Sequence, residues 1–225
     1  MADKIQKNDF VEIQFIGKTK DGEVFDTNIE SEAKKINIDL KSRPLIICLG
    51  QGMILPAIDE FLIDKETEKD YTLDLSPKQA FGERSLEMRK IMPLSVFKRQ
   101  NVYPELGMMF QFDNAIGKII SVTGGRVTVD FNNPLAGKEV IYDIKIKNKV
   151  SDVNEKAKSL MRFFFHQEFP FTIEGSKIIL EVPKGFKFFV DYLKDKFKEI
   201  LGLETEAKEV ELKQPKTEDK KEETA

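Results

Sequence analysis

The chain has 225 residues, of which 40% are apolar and 33% charged, so it can hold one large domain or two to three small ones. Its net charge of −3, with acidic and basic residues interspersed, argues against the dense basic face that nucleic-acid binding needs. The longest apolar run, residues 44–49, is far shorter than the roughly 20 residues of a membrane span, and the polar first residues predict no signal peptide.

The first part of the chain predicts short strands and one helix. Apolar residues alternate with polar ones over residues 9–16, which indicates a half-buried strand. Further strands are predicted over residues 45–49 and 71–75, and apolar residues at helical spacing predict a helix over residues 53–61. Pro56 is tolerated in that helix only in the first turn.

The numbers of cysteine and histidine residues bear on the cellular location of the protein and on the cofactors that it could bind. Cys48 is the only cysteine, so no intramolecular disulfide and no cysteine-based zinc site can form. His166 is the only histidine, and without a partner it is expected to be structural. We therefore expect a cytoplasmic protein with no metal, no other cofactor and no membrane partner.

The character of the chain changes between about residues 85 and 130, where prolines and glycines punctuate short segments. Strands are predicted over residues 108–112, 118–122 and 126–131, the last two joined across Gly124-Gly125. This pattern predicts a small, mostly β domain. Alternating residues at 140–146 then predict a strand that returns to the first sheet.

The last third predicts an α+β domain over residues 152–212. Asp152 and Glu155 form a capping-box-like start for a helix whose apolar stripe runs to Phe165. After it come a predicted hairpin over residues 169–173 and 177–182, a helix over residues 186–201 ended by Gly202, and a last strand over residues 208–212. Residues 213–225 are charged with no apolar anchor, which predicts a disordered tail.

One stretch resembles a known family. Residues 15–26, FIGKTKDGEVFD, are similar to the signature of the FK506-binding-protein (FKBP) family of peptidyl-prolyl cis-trans isomerases: aromatic-x-Gly, then Asp-Gly, then Phe-Asp. Four further segments resemble the family in its order: residues 43–50, 52–58, 77–82 and 141–144. Residues 132–137 resemble the Asn-x-Pro-Leu-Ala-Gly of the SlyD-type branch, in which a domain inserted in the flap binds extended polypeptide.

The resemblance implies an α+β fold with a half-barrel of antiparallel sheet around one helix, an inserted mostly β domain and a C-terminal α+β domain. The isomerase domain would comprise residues 1–84 and 131–151, and the inserted chaperone domain residues 85–130. The implied partners are unfolded or nascent polypeptides with X-Pro bonds. The C-terminal extension resembles that of long archaeal FKBPs. Its aromatic run, residues 163–165, prompts the hypothesis of a dimer or substrate surface and of homodimerisation through this domain.

The resemblance also assigns the residues of a pocket. Those implied in catalysis are Asp26, Phe25, Leu55, Phe81 and Tyr142, and those implied in substrate binding are Phe15, Leu45, Ile54 and Ile58. The Leu55 N–H would hold a substrate carbonyl. Asp26 would either interact with the rotating carbonyl carbon or hold the pocket geometry. Phe15 and Phe81 replace tyrosines common in the family, which predicts weak affinity for macrolide drugs and a modest rate on short peptides.

Several alternatives stay open. Each Phe or Ile of the proposed pocket is ordinary core in the plainer interpretation. Met108 and Met109 are either an adaptable substrate-gripping surface or the core of the inserted domain. For the whole chain, the alternatives to an isomerase-chaperone are a holdase with vestigial isomerase activity and an interaction protein docked by its C-terminal domain.

Overall fold

The computed structural model describes residues 4–38, 44–112 and 115–211. Its strands, in chain order, are β1 (Phe10–Thr19), β2 (Val24–Thr27), β3 (Leu45–Cys48), β4 (Asp70–Leu75), β5 (Arg89–Pro93), β6 (Met109–Phe112), β7 (Ala115–Thr123), β8 (Arg126–Asp130), β9 (Val140–Lys149), β10 (Phe171–Glu174), β11 (Lys177–Val182) and β12 (Glu204–Glu209). Its α-helices are α1 (Glu30–Lys35), α2 (Pro56–Leu62), α3 (Leu94–Lys98), α4 (Val153–Phe165) and α5 (Lys187–Leu201). The predicted tail, residues 213–225, lies outside the described residues. None of the described helices is both long and apolar enough to cross a bilayer.

The first sheet contains five antiparallel strands in the order β2-β1-β9-β4, with β3 paired to the first half of β1. Its concave face packs on α2, whose Ile58 and Leu62 are buried in the same cluster as Val11 and Ile146. Burying one face of a twisted antiparallel sheet on a helix gives the predicted half-barrel. The predicted α+β class is confirmed by this architecture.

The helix predicted from residue 53 begins at Pro56 instead. Proline has no N–H to lose at the first helical position, and this residue occupies it. The preceding segment is a loop fixed by the buried Asp59, whose carboxylate accepts hydrogen bonds from the N–H groups of Gly50 at 2.8 Å and Gly52 at 3.3 Å. That loop leads directly into the candidate site.

The inserted sheet has the strand order β5-β8-β7-β6, all antiparallel. The predicted three-stranded meander corresponds to β6, β7 and β8, whereas β5 and the short helix α3 were not predicted. Phe97 of α3 is buried against Ile119, Val127 and Val129, so this helix completes the small core. A five-residue helix carries too few positions for a periodicity signal, which explains why the sequence pattern missed it.

The C-terminal sheet has the order β10-β11-β12, and β11 and β12 run parallel. A parallel pair needs a crossover connection, which α5 supplies. Gly202, at φ +72°, ends α5, and the chain enters β12 at Glu204, so the strand predicted over residues 208–212 lies earlier than expected. Leu212, the last residue of that prediction, lies outside the described residues.

The C-terminal layer shares a hydrophobic core with the first sheet. Phe10, Ile46 and Cys48, on the convex face of β1 and β3, belong to the same buried cluster as Leu160 of α4 and Phe197 of α5. The first sheet is therefore covered on both faces, by α2 on one side and by the C-terminal layer on the other.

Candidate active site

An apolar cavity of about 320 Å³ opens between α2 and the concave face of the first sheet. Its lining residues are Ile13, Phe15, Asp26, Leu45, Met53, Ile54, Leu55, Ile58, Phe81, Tyr142 and Ile144. Eight of these were assigned from the resemblance, and Asp26 is the one ionisable carboxylate among them. The structure thus brings together side chains that lie far apart in the sequence.

Strand alternation supplies most of the wall. Ile13 and Phe15 point to the same face of β1 because successive side chains of a strand alternate in direction, and Tyr142 and Ile144 do the same on the neighbouring β9. Ile58 of α2 is almost fully buried beneath the cavity and forms its floor. Ile13, Met53 and Ile144 were not predicted as cavity residues. The two isoleucines could have been, because each lies two residues from a predicted one on the same face of its strand, next to Phe15 and Tyr142.

Three aromatic rings stack edge to face beside the cavity. The ring of Phe25 lies 5.6 Å from that of Phe81 and 5.8 Å from that of Tyr142, measured between centroids. Phe25 is not itself a lining residue and packs behind the other two rings. Such T-shaped pairs are favourable because the positive edge of one ring meets the negative face of the next. Phe25 therefore orients rings that do line the cavity.

Gly17 explains part of the motif over residues 15–26. A Cβ atom at this position would stand 3.0 Å from ring carbons of both Phe25 and Tyr142. That separation is shorter than ordinary van der Waals contact, so a larger residue would push the two rings apart. The glycine two residues after Phe15 is thus needed for close aromatic packing, not for an unusual backbone angle.

Asp26 lies at the rim, and the residue as a whole remains exposed. Partial burial of its carboxyl group against apolar neighbours raises the pKa above its usual range, and a hydrogen bond from the Thr27 backbone offsets this only in part. Burial, with a smaller contribution from the negative charge of Asp26, raises the pKa of Tyr142 to about 12. The Tyr142 hydroxyl is therefore neutral throughout the physiological range.

Leu55 is the N-cap residue of α2, and its carbonyl accepts hydrogen bonds from the N–H groups of Ile58 and Asp59. Among the described residues we find no acceptor for the Leu55 N–H itself. This donor at the cavity wall can receive a carbonyl from a bound ligand. Asp59, which fixes the loop before it, escaped prediction, although an acidic residue in the first turn of a helix is a usual signal.

The remaining predicted residues lie outside this cavity. Met108 and Met109 are exposed on the inserted domain and stand apart from its core, whereas the adjacent Phe110 packs against that core. The aromatic run at 163–165 is not an open surface, which corrects the premise of the dimer hypothesis: Phe165 is buried and Phe164 packs on the C-terminal cluster, because α5 covers this side of α4.

The site is a half-barrel that closes on one helix around an apolar pocket, with the Leu55 N–H and the Asp26 carboxylate at its edge. Residues 2–98 match the family described as "FKBP-type peptidyl-prolyl cis-trans isomerase", and residues 90–135 match "FKBP26, IF domain". The chain belongs to the FKBP-type peptidyl-prolyl cis-trans isomerases.

Individual relatives agree with this assignment. A "Short-type peptidyl-prolyl cis-trans isomerase" of Methanocaldococcus jannaschii is 32% identical over 151 residues, which are 66% of this chain and 96% of that protein. An "FKBP-type 16 kDa peptidyl-prolyl cis-trans isomerase" of Escherichia coli is 28% identical over 65% of this chain and 94% of its own length. A SlyD isomerase of Treponema pallidum is 30% identical over 44% of this chain and 58% of its own length.

Proposed function

We propose that this isomerase turns X-Pro bonds of unfolded polypeptides in the 320 Å³ cavity, while the inserted domain holds the client chain beside it. The observation that carries the proposal is the gathering of Phe15, Leu55, Phe81 and Tyr142, with Asp26, around one apolar cavity. The polypeptide substrate class is that of the family, and we propose the roles of the individual residues.

The chemistry needs no nucleophile. An X-Pro bond crosses a barrier of about 18–20 kcal/mol because rotation destroys amide resonance. Resonance places negative charge on the carbonyl oxygen, so the twisted transition state is less polar than either planar ground state. A water-poor apolar cavity destabilises the planar form relative to the twisted one, and this differential binding accelerates rotation.

Two polar groups orient the substrate in this scheme. The free Leu55 N–H donates to a substrate carbonyl and fixes the peptide across the cavity mouth. Asp26 faces the rotating carbonyl carbon, or its hydrogen bond from Thr27 holds the rim in place. The two roles differ in one respect: only the first depends on the charge of the carboxylate.

The inserted domain offers the features of a client-binding surface. Its exposed large apolar side chains are Leu86, Met88, Ile91, Val96, Tyr103, Leu106, Met108, Met109, Ile116 and Val122. A monomeric domain of this size rarely exposes so many, and a concentration of them indicates an interaction surface. Holding a chain here raises the effective concentration of its prolines at the cavity.

We propose three domains with the bounds that the sequence motifs indicate. Residues 1–84 and 131–151 form the isomerase domain, residues 85–130 the inserted domain and residues 152–212 the C-terminal domain. The core shared by Phe10, Ile46 and the C-terminal helices makes the third of these a structural support of the first.

Refolding kinetics test the proposal. A protein whose refolding is limited by a prolyl isomerisation is refolded with the full chain and with a variant in which a short Gly-Ser link replaces residues 86–130. We expect the variant to keep activity on a tetrapeptide and to lose most of its activity on the protein. Equal activity of both on the protein would show that the isomerase domain works alone.

A holdase with weak isomerase activity is the second candidate. It is favoured by Phe15 and Phe81, which line the cavity without the hydroxyl groups common in the family. Asp26→Ala and Phe81→Ala separate the two: if neither changes refolding rates while aggregation is still suppressed, the holdase function is the correct one.

We also propose that the C-terminal domain mediates homodimerisation, now on a different surface. Phe188 and Tyr192 of α5 are 73% and 80% exposed, and Phe189 beside them is more than half exposed. Sedimentation of the full chain and of a Phe188→Ser/Tyr192→Ser variant tests this. A monomeric full chain at micromolar concentration would exclude it. The cytoplasmic location stays a prediction, with which the single cysteine agrees.

A further inference from the structure

A second cavity, of about 500 Å³, lies where the inserted domain meets the isomerase sheet. The inserted domain supplies Met109, Ile116 and Lys118 from β6 and β7, and the isomerase side supplies Glu23 and Lys138. The segments on either side of the insertion complete the wall. Nothing in the proposed isomerisation chemistry uses this space.

The same two chain segments contribute lining residues to both cavities. Asp26 lines the first cavity and Glu23 the second, and Phe81 and Arg84 repeat this step of three residues on another segment. The step from Glu23 to Asp26 runs along β2 and, as extended chain, spans about 10 Å, whereas Gly82 at φ +80° turns the chain between Phe81 and Arg84. A bound peptide with its proline in the first cavity therefore places a side chain about three residues away in the second.

The lining of the second cavity selects a particular side-chain chemistry. Met109 and Ile116 are 57% and 60% exposed, so they present an apolar floor that nothing in the described chain covers. Lys118 and Lys138 are exposed, and neither has an ion-pair partner among the described residues. Two free cations against the one carboxylate of Glu23 leave the cavity positive.

Asp130 does not cancel this positive charge because its own charge is already compensated. It is 3% exposed, its carboxylate accepts a hydrogen bond from Arg84 at 2.9 Å, and Arg89 lies 3.6 Å away. The backbone N–H of Asn132 donates to it at 2.9 Å and the side-chain amide at 2.6 Å. Burial alone would raise the pKa of Asp130, but these partners together hold it below its usual range.

The same cluster keeps the second cavity in place. The Asn132 side chain accepts a hydrogen bond from the Ser85 N–H and donates one to the Ser85 carbonyl, both of 2.9 Å. These bonds link the two chain segments that connect the inserted domain to the isomerase domain. The N–H of Gly137 donates to the carbonyl of Gly82 at 2.8 Å and adds a third link between them. A cavity held by paired connections of this kind is formed before the client arrives, which reduces the ordering cost of binding.

From this juxtaposition we infer that the second cavity is a subsite for the client segment next to the isomerised bond. It takes an acidic side chain adjacent to a large apolar one, about three residues from the proline. This inference rests on the proposed function, in which the first cavity holds the proline, and it adds a sequence preference that the apolar pocket alone does not have.

Labelled unstructured peptides test the inference on the full chain. Each carries one Ala-Pro bond in a Gly-Ser-Ala background, with a Glu-Leu pair three residues before or after the proline. Control peptides carry Lys-Leu at the same place or Glu-Leu eight residues away. Fluorescence anisotropy gives Kd, and a coupled isomerase assay gives kcat/KM. We expect one of the two Glu-Leu peptides to bind about tenfold more tightly than both controls at low salt.

Lys118→Glu/Lys138→Glu is the decisive variant, and Lys208→Glu on strand β12 of the C-terminal sheet is a control for a charge reversal elsewhere on the surface. In the double variant the ratio of Kd values for the Glu-Leu and Lys-Leu peptides should invert, whereas Lys208→Glu should keep the wild-type ratio. A ratio unchanged by the double variant, or equal Kd values at both spacings, overturns the subsite. If the unaltered chain turned over none of the peptides, the proposed function would be refuted. The ratio of Kd values would still decide whether the subsite exists.

Discussion

Ser159 in α4 donates a hydrogen bond of 2.7 Å to the backbone carbonyl of Ile46 in β3, and both residues are buried. This hydrogen bond joins the C-terminal layer to the convex face of the isomerase sheet. Met53 lines the cavity and packs against the buried clusters on both faces of that sheet. Its sulfur accepts a hydrogen bond of 3.1 Å from the Cys48 N–H. The C-terminal layer therefore supports the loop that ends at Leu55.

Ser159→Ala should lower the free energy of unfolding by about 1–3 kcal/mol, because it leaves the Ile46 carbonyl buried without its partner. Guanidinium unfolding followed by circular dichroism measures this. The exposed Ser151→Ala serves as the control and should stay within about 0.5 kcal/mol of the wild type. Equal unfolding midpoints for the two variants would show that the layers are not coupled through this contact.

Cys48 reports on the same interface. Burial, then the charge of Asp59, raises the pKa of its thiol to about 12. Because the thiolate is the reactive form, we expect almost no labelling by iodoacetamide at pH 8 in the full chain. A chain ending at Val150 exposes the convex face of β3 and should label much faster. Rapid labelling of the full chain would contradict the shared core.

The raised thiol pKa also sets a pH dependence of stability. The folded state keeps the proton up to about pH 12, whereas the unfolded thiol loses it near its ordinary pKa of 9.0. Unfolding thus releases a proton between these values, so stability is fully present below about pH 9 and falls as the pH rises toward 12. Cys48→Ala removes this dependence, and the alkaline slopes of the two unfolding curves measure it.

Gly17→Ala should disturb the cavity by displacing aromatic rings, although Gly17 does not itself line it. The added methyl group meets the rings of Phe25 and Tyr142 at 3.0 Å, so we expect kcat/KM on a tetrapeptide to fall about tenfold, which corresponds to about 1.4 kcal/mol. Gly117→Ala is the matched control, since its methyl group meets Val129 at 2.4 Å in the inserted domain. It should destabilise that domain and leave tetrapeptide turnover near the wild-type value.

Asp26→Asn separates the two roles of the carboxylate. If the charge acts on the substrate, kcat/KM falls about tenfold and the wild-type rate declines in acid above the usual aspartate range, because the pKa of Asp26 is raised. If Asp26 only holds the rim, the amide variant keeps most of the activity and the pH profile stays flat. A flat profile with full activity would remove Asp26 from the chemistry.

Phe81→Tyr should strengthen macrolide binding. The new hydroxyl at the cavity wall supplies one hydrogen bond, worth about 0.5–1.5 kcal/mol net, and lowers the inhibition constant by about two- to tenfold. Competition for tetrapeptide turnover measures this. Inhibition of the unaltered chain at low nanomolar concentration would contradict the prediction of weak drug binding.

Local patterns were enough for β1, β3, β4 and β9 of the first sheet and for both long C-terminal helices, whereas β2 was not predicted. Alternation along residues 9–16 and helical spacing along residues 186–201 are properties of the chain itself, since they reflect which face each side chain presents. The motif around Phe15, Gly17 and Asp26 pointed to the cavity in a different way, through its resemblance to the FKBP signature. The helix at Pro56 began three residues late because buried hydrogen bonds to Asp59 outweighed its apolar spacing.

Only the tertiary structure decided what covers the convex face of β1 and β3. Phe10, Ile46 and Cys48 look like ordinary strand residues, and their burial depends on Leu160 and Phe197, more than a hundred residues away along the chain. The same holds for the second cavity, whose walls come from segments as far apart in the sequence as Glu23 and Lys138. Sequence determines which face of an element is apolar, but which two faces meet is settled by packing between elements, and this leaves no periodic trace.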